Sequence, residues 1–340
     1  MKRATLVATR KYKIEEIDEP HAGYGEVRIK VMYNGLCGSD IHIFKNEHPT
    51  LINSFPIVLG HEFSGIVDEI GDGVDGFRLG MPATIQPVRS CGKCKWCLDK
   101  KGNLALCPEE RFYDGGTAQF YVAEASNVIT FNKNDNLMDA AMAEPLAVAV
   151  HGVRLAPEGV KGKNVLVTGA GTIGMLTAQY VKYMGAAKVF VTDMMENRLD
   201  VVKKLGMIPI NPIKDNFKAI ISEETGSDKV EISFECAGNE NSLANCIEFT
   251  ETRGVVVLLA VFTKRPAVDM FRIEDRELRV FGAYQYTPDD FSEAAKTIDN
   301  RALDLEIMRG KVFNLDDVQE AVEWTVDHPG ECLKVMLKIQ

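Results

Sequence analysis

The sequence predicts an α/β chain, a β-rich first part followed by a doubly wound parallel sheet, and three observations carry that prediction. Up to about residue 145, short stretches alternate apolar and polar residues between Gly and Pro, as in Val27, Ile29 and Val31, which is the period of a half-buried strand. From residue 164 the rhythm changes to β-branched runs alternating with helical stripes, as crossover connections require. A glycine pattern stands at the first strand-to-helix turn of this second part.

Taken in order, Asn164-Val165-Leu166-Val167-Thr168 reads as a short buried strand. Ile173, Leu176, Thr177, Tyr180, Val181 and Met184 then follow the stripe of a helix packed by one face. Further strands are expected at Lys188 to Thr192, Val230 to Glu235, Gly254 to Leu259 and Leu278 to Phe281. Helices near 288 to 299 and 315 to 326 lead to an alternating strand from Cys332 to Ile339, expected to return to the N-terminal part. With 340 residues, 46% of them hydrophobic, the chain has the material for two domains.

Lys and Arg number 39 against 49 Asp and Glu, a net charge of −10, which disfavours nucleic acid and anionic membrane as partners because both demand clustered cations. Charged Arg10, Lys11 and Lys13 interrupt the N-terminus before a signal-peptide core can form, and no long uncharged apolar run follows. The expectation is a cytoplasmic protein.

Gly169-Ala170-Gly171-Thr172-Ile173-Gly174 matches G-x-G-x-x-G, which is weak evidence alone and stronger here because it follows a strand, opens a helix and precedes Asp193 at the end of the next strand. Gly169 permits the turn, Gly171 admits the pyrophosphate, Gly174 lets helix and strand pack, and the helix N-terminus, with Ile173 in its first turn, meets the phosphates. Asp193 suits a ribose hydroxyl and repels a 2′-phosphate, so NAD is expected rather than NADP. The nearby Arg198 is the residue type that NADP sites use.

Four of the eight cysteines crowd into Cys91, Cys94, Cys97 and Cys107, which favours a metal over disulfides. Four thiolates make a closed tetrahedral zinc site with no position left for chemistry. An iron–sulfur cluster is the rival, but nine residues separate Cys97 from Cys107 where the ferredoxin run has three.

A second constellation is sparser: Cys37 in Cys37-Gly38-Ser39-Asp40-Ile41-His42, then Gly60-His61-Glu62. The second His of H-E-x-x-H is missing, so a metalloprotease signature fails. Cys37, His61 and a carboxylate would give the three-ligand open site of a catalytic zinc.

These segments, with Ala143-Glu144-Pro145-Leu146-Ala147 and Glu235-Cys236-Ala237-Gly238, make the sequence resemble the zinc-containing medium-chain alcohol dehydrogenases, nearest to the polyol, butanediol and threonine dehydrogenase branch. The resemblance implies a partly open, GroES-like β-barrel catalytic domain at 1–146 and 285–340, carrying a zinc lobe at 89–110, with a Rossmann NAD-binding domain at 147–284. It implies a catalytic zinc on Cys37 and His61 with Glu62 or Glu144 as the carboxylate, a structural zinc on the four cysteines, and Ser39 and His42 as a proton relay. It implies reversible, NAD-dependent oxidation of a small secondary alcohol, polyol-like, by a homodimer or homotetramer. The apolar run Val255 to Phe262 is expected to supply the strand edge for that pairing.

Departures from the family pattern limit the substrate. The lobe spacing is nine residues where seven is usual, and Ile43 and Gln285 stand where animal sorbitol dehydrogenases place a Tyr and an Arg, so sorbitol itself is not implied. A threonine or sugar-acid dehydrogenase is the alternative within the same chemistry. A non-catalytic NAD-binding protein with only the structural zinc is the alternative outside it.

Overall fold

The computed structural model describes residues 1–48, 50–99, 102–112, 115–133 and 135–340; Lys100 and Lys101 of the cysteine lobe lie outside them. The chain divides into two compact units, one formed by Met1–Glu144 with Thr287–Gln340, the other by Pro145–Tyr286.

The first unit is built on a seven-stranded mixed sheet. Its path runs Arg309–Asn314, Lys334–Lys338, Glu26–Gly35, Glu62–Ile70, Pro82–Ile85 and Val128–Thr130, with Phe120–Glu124 also pairing Glu26–Gly35. The alternation seen in the sequence becomes a core face, where Val27, Ile29 and Val31 are buried with Phe63, Val67 and Leu337. The expected return of the chain is real, since Lys334–Lys338 pairs antiparallel with Glu26–Gly35. On one side of Gly35 its register partner is Met336, and on the other it is Glu62.

The second unit holds six parallel strands: β1 (Asn164–Thr168), β2 (Lys188–Thr192), β3 (Ile208–Ile210), β4 (Val230–Glu235), β5 (Thr250–Leu258) and β6 (Arg279–Gly282). Their spatial order is β3-β2-β1-β4-β5-β6, the doubly wound Rossmann arrangement in which progression reverses between β1 and β4. Helix α1 (Thr172–Tyr183) follows β1, and its buried side carries Leu176, Thr177, Tyr180 and Val181 of the expected stripe. Helix α2 (Glu240–Phe249) follows β4.

Three details differ from the sequence reading. The short strand β3 went unseen because it contains Pro209, which an edge strand tolerates. β5 begins four residues before Gly254, since the polar run Thr250 to Arg253 reads as a loop although Thr250 already pairs with Val230. Most consequential, the run Val255 to Phe262 supplies no free edge: β5 is bonded on both sides, and β6 is the outer strand. Among the described residues no helix is long and apolar enough to cross a membrane.

Candidate functional site

The cysteine lobe is built by short-range chain geometry. The Sγ atoms of Cys91, Cys94, Cys97 and Cys107 all lie within 4.8 Å of one another. Cys94 to Cys97 measures 3.4 Å and Cys91 to Cys97 3.9 Å. Four thiolates around one zinc, each bond about 2.3 Å, stand about 3.8 Å apart, so the cluster has the size the ion needs and is far too open for disulfides. All eight cysteines are free. Backbone N–H groups of Cys91 and Glu109 donate to Cys107 Sγ at 3.4 Å, the support a thiolate requires. Crowding splits the thiols: the Ser90 hydroxyl and then Cys94 draw Cys97 down to about 6. At Cys107 the Cys91 N–H favours the thiolate, but burial and the thiols of Cys91 and Cys97 outweigh it and push the group up to about 11.

The second cluster is assembled from distant segments. Cys37 caps the helix Gly38–Phe44, while His61 and Glu62 stand where the strand Glu62–Ile70 begins. One ligand atom from each of Cys37, His61 and Glu62 falls within 4.8 Å of the others, with His61 and Glu62 buried. A soft thiolate, an imidazole and a carboxylate form a donor set that suits zinc and leaves a coordination position open. Glu144 is buried near the start of the helix Ala143–Arg154 and is not in that group. Ser39 is half-buried in the Gly38–Phe44 helix. His42 is half-buried there too, with its Nδ1 buried and without a hydrogen-bond partner among the described residues.

Two residues around this cluster escaped the sequence reading of roles. Asp40 is buried, accepts the Cys37 N–H through Oδ2 at 3.0 Å, and presents Oδ1 to His61 Nδ1 at 3.7 Å. One carboxylate therefore fixes the backbone of one ligand and faces a ring nitrogen of the other, as outer-shell acids do. Lys334 is the other, an ammonium with 1% of its side chain exposed, ion-paired with Glu62 and donating to Leu36 O at 3.1 Å. Burial disfavours its charge, yet Glu62, Cys37 and Asp40 hold its pKa above the ordinary lysine value. The pair meets over Gly35, where an added Cβ would lie 2.5 Å from Glu62 Oε2 and 2.6 Å from Lys334 Cε.

In the second unit, Gly169 takes φ 89°. A Cβ on Gly174 would fall 1.7 Å from Gly169 O, so helix and turn close only over a glycine there. Gly171 is different: its Cβ would meet nothing nearer than Arg198 Nη1 at 4.0 Å. The space before Gly171 is left open by the protein, as a cradle for a bound phosphate must be. No side chain caps α1, and Ile173 is half-buried in its first turn. Asp193 Oδ2 accepts Ala170 N at 2.9 Å and Arg198 Nη1 at 3.2 Å, while Oδ1 accepts Met195 N at 2.9 Å. Ile43 is buried in the first unit's core, and Gln285 has φ 49° with its Oε1 buried.

Residues 23–133 match the alcohol dehydrogenase GroES-like domain and residues 172–300 the zinc-binding dehydrogenase domain. A sorbitol dehydrogenase of Halalkalibacterium halodurans is 30% identical across 98% of this chain and 97% of its own. A 2-dehydro-3-deoxy-L-galactonate 5-dehydrogenase of Pseudoalteromonas atlantica is 31% identical across 87% of each chain. The structure of an alcohol dehydrogenase from Escherichia coli CFT073, complexed with NADH, superposes with a TM-score of 0.89 at 27% identity, covering 100% of this chain and 99% of the other.

Proposed function

This chain belongs to the zinc-binding medium-chain dehydrogenase family as an NAD-linked oxidoreductase, and from that membership we propose that it oxidises a secondary alcohol of polyol type to the ketone. The observation that carries the reading is the convergence of Cys37, His61 and Glu62 donor atoms within 4.8 Å in a chain that also holds an open glycine cradle. Catalytic residues are assigned in 1–146 and 285–340, and the NAD site in 147–284.

Cys37 and His61 hold the catalytic zinc, with Glu62 or Glu144 as the carboxylate, and Cys91, Cys94, Cys97 and Cys107 hold the structural one. The bound groups supply the acidification of the substrate hydroxyl and the acceptor for its hydride. Asp40 orients the His61 ring and Lys334 balances Glu62, which keeps this charge-rich pocket in one arrangement. Ser39 Oγ accepts the hydroxyl proton as it gives up its own toward His42, which releases a proton outward; the Nδ1 of His42, buried and without a hydrogen-bond partner among the described residues, supports that role. On the cofactor side, Gly169, Gly171, Ile173 and Gly174 receive the pyrophosphate. Asp193 accepts from the adenosine ribose and disfavours a 2′-phosphate despite Arg198, so NAD is the preferred form.

The test is NADH absorbance with sorbitol, xylitol, butanediol, threonine and aldonates, run beside zinc analysis. Turnover of polyols with two zinc ions per chain is expected. One zinc and no turnover of any substrate would leave a binding protein. The sugar-acid relative favours aldonates as a second reading, which stands if they outpace the polyols. The reading also places the enzyme in the cytoplasm as a homodimer or homotetramer, which a light-scattering mass in solution tests for the assembly.

A further inference from the structure

Parallel sheets of this kind bind their ligand outside the carboxyl ends of the strands where progression reverses, here between β1 and β4. The β1 side of that crevice carries the glycine turn and Asp193, which the proposed function already uses. The β4 side carries Glu235, the last residue of its strand and fully buried.

Its backbone oxygen accepts from both Leu259 N at 2.9 Å and Ala260 N at 3.1 Å, which fixes the turn leaving β5. Its side-chain Oε1 accepts from Ala237 N at 3.0 Å, Gly238 N at 2.9 Å and Ser242 Oγ at 2.5 Å, which fixes the turn leaving β4. These two turns touch each other and the glycine turn. A Cβ on Gly238 would lie 2.8 Å from Val261 O, and one on Gly169 would lie 3.0 Å from the Ala237 Cβ.

A carboxyl is an expensive way to hold loops. Burial pushes Glu235 above the usual carboxylate range, and its Oε2 is buried with no hydrogen-bond partner among the described residues. Capping α2 does not explain the cost, because the Asn239 side chain already accepts the Ser242 N–H at 3.0 Å. What the Glu235 carboxyl does is tie the turn leaving β4 to a rigid strand end, and that turn packs against the one leaving β5, which the backbone oxygen of the same residue holds.

We propose that Glu235 is a positioning residue for the nicotinamide half of the dinucleotide. With the adenosine ribose at Asp193 and the pyrophosphate at Gly171, the remaining half crosses the reversal point and meets the turns at 236–238 and 259–261. Glu235 sets these turns before the cofactor arrives, so binding does not have to order them. This rests on the NAD reading of the second unit.

The test uses the zinc-loaded full chain and the variants Glu235→Ala, Glu235→Asp and Glu235→Gln. NADH affinity is measured by fluorescence titration, AMP affinity by calorimetry, and amide hydrogen exchange at Ala237, Gly238, Leu259 and Ala260 without cofactor. Glu235→Asp, which keeps the charge but withdraws the oxygen by one methylene, is expected to weaken NADH roughly tenfold, as a few lost or stretched hydrogen bonds would. It should raise the KM for NAD more than it lowers kcat, speed exchange at Ala237 and Gly238 well beyond any change at Leu259 and Ala260, whose acceptor is the backbone oxygen that every variant keeps, and leave AMP within about twofold, because AMP needs only the β1 side. Glu235→Gln, retaining the acceptor, should restore NADH binding; Glu235→Ala should match or exceed the loss in Glu235→Asp. Unchanged NADH affinity in Glu235→Asp, or AMP weakened in proportion to NADH, overturns the inference. A wild-type chain that bound AMP and NADH equally would also overturn it, and one that bound neither would remove the NAD reading beneath it.

Discussion

The two metal-ligand clusters of the first unit are built in opposite ways. The lobe takes four identical donors from residues 91 to 107, so local turns alone bring them together. The Cys37, His61 and Glu62 cluster takes three different donors from separate segments, and its charge balance comes from Lys334, whose partner Leu36 lies 298 residues away in the chain. A closed set of like ligands makes a staple, whereas a mixed, open set supported by distant residues makes a place where chemistry happens. Damage to one should therefore read out differently from damage to the other.

The sharpest break is Cys37→Ala. Turnover should fall by roughly a thousandfold, the loss of several kcal/mol of metal assistance, with zinc dropping from two ions to one and the melting temperature close to wild type. Cys94→Ser should do the reverse, removing the other zinc and opening the lobe to proteolysis while the folded fraction keeps its kcat. If both variants lose activity and zinc together, the two clusters are not independent and the contrast collapses.

Next comes Lys334→Met, which strands a buried carboxylate. Breaking such a pair from one side costs about 3 to 5 kcal/mol, so chemical denaturation should show a large fall in stability, and Glu62→Gln added to Lys334→Met should recover part of it. No recovery would mean that packing, and not charge, is what Lys334 provides. Asp40→Asn is a smaller perturbation: zinc affinity at Cys37 and His61 should drop about 10- to 100-fold, measured by chelator competition, with the lobe ion retained. Smallest is a difference in rate. A chelator added to wild-type protein should strip the open site first, so activity should vanish with the first ion and not the second.

The same contrast explains what the sequence made legible. The lobe and the glycine cradle are written in short spacings, Cys91 to Cys107 and Gly169 to Gly174, where local geometry decides the outcome. Strands β1, β2 and β4 were legible because buried parallel strands are runs of apolar, β-branched residues. Lys334 was not, because a lysine opening an alternating strand reads as solvent-facing. Only the pairing of Lys334–Lys338 between Arg309–Asn314 and Glu26–Gly35 turns it inward. Asp40 and Glu235 stood in plain view inside recognisable segments, yet their work consists of hydrogen bonds to backbone groups that no spacing displays. The polar start of β5 and the proline of β3 misled for the complementary reason: neighbours in the sheet overrode local composition.

The pairing of Glu62 with Lys334 across Gly35 also orders events in time. A chain whose last strand has not yet closed holds the thiol, the imidazole and the carboxylate without the ammonium that neutralises them, so the charge balance of the cluster is complete only once Lys334–Lys338 has paired with Glu26–Gly35.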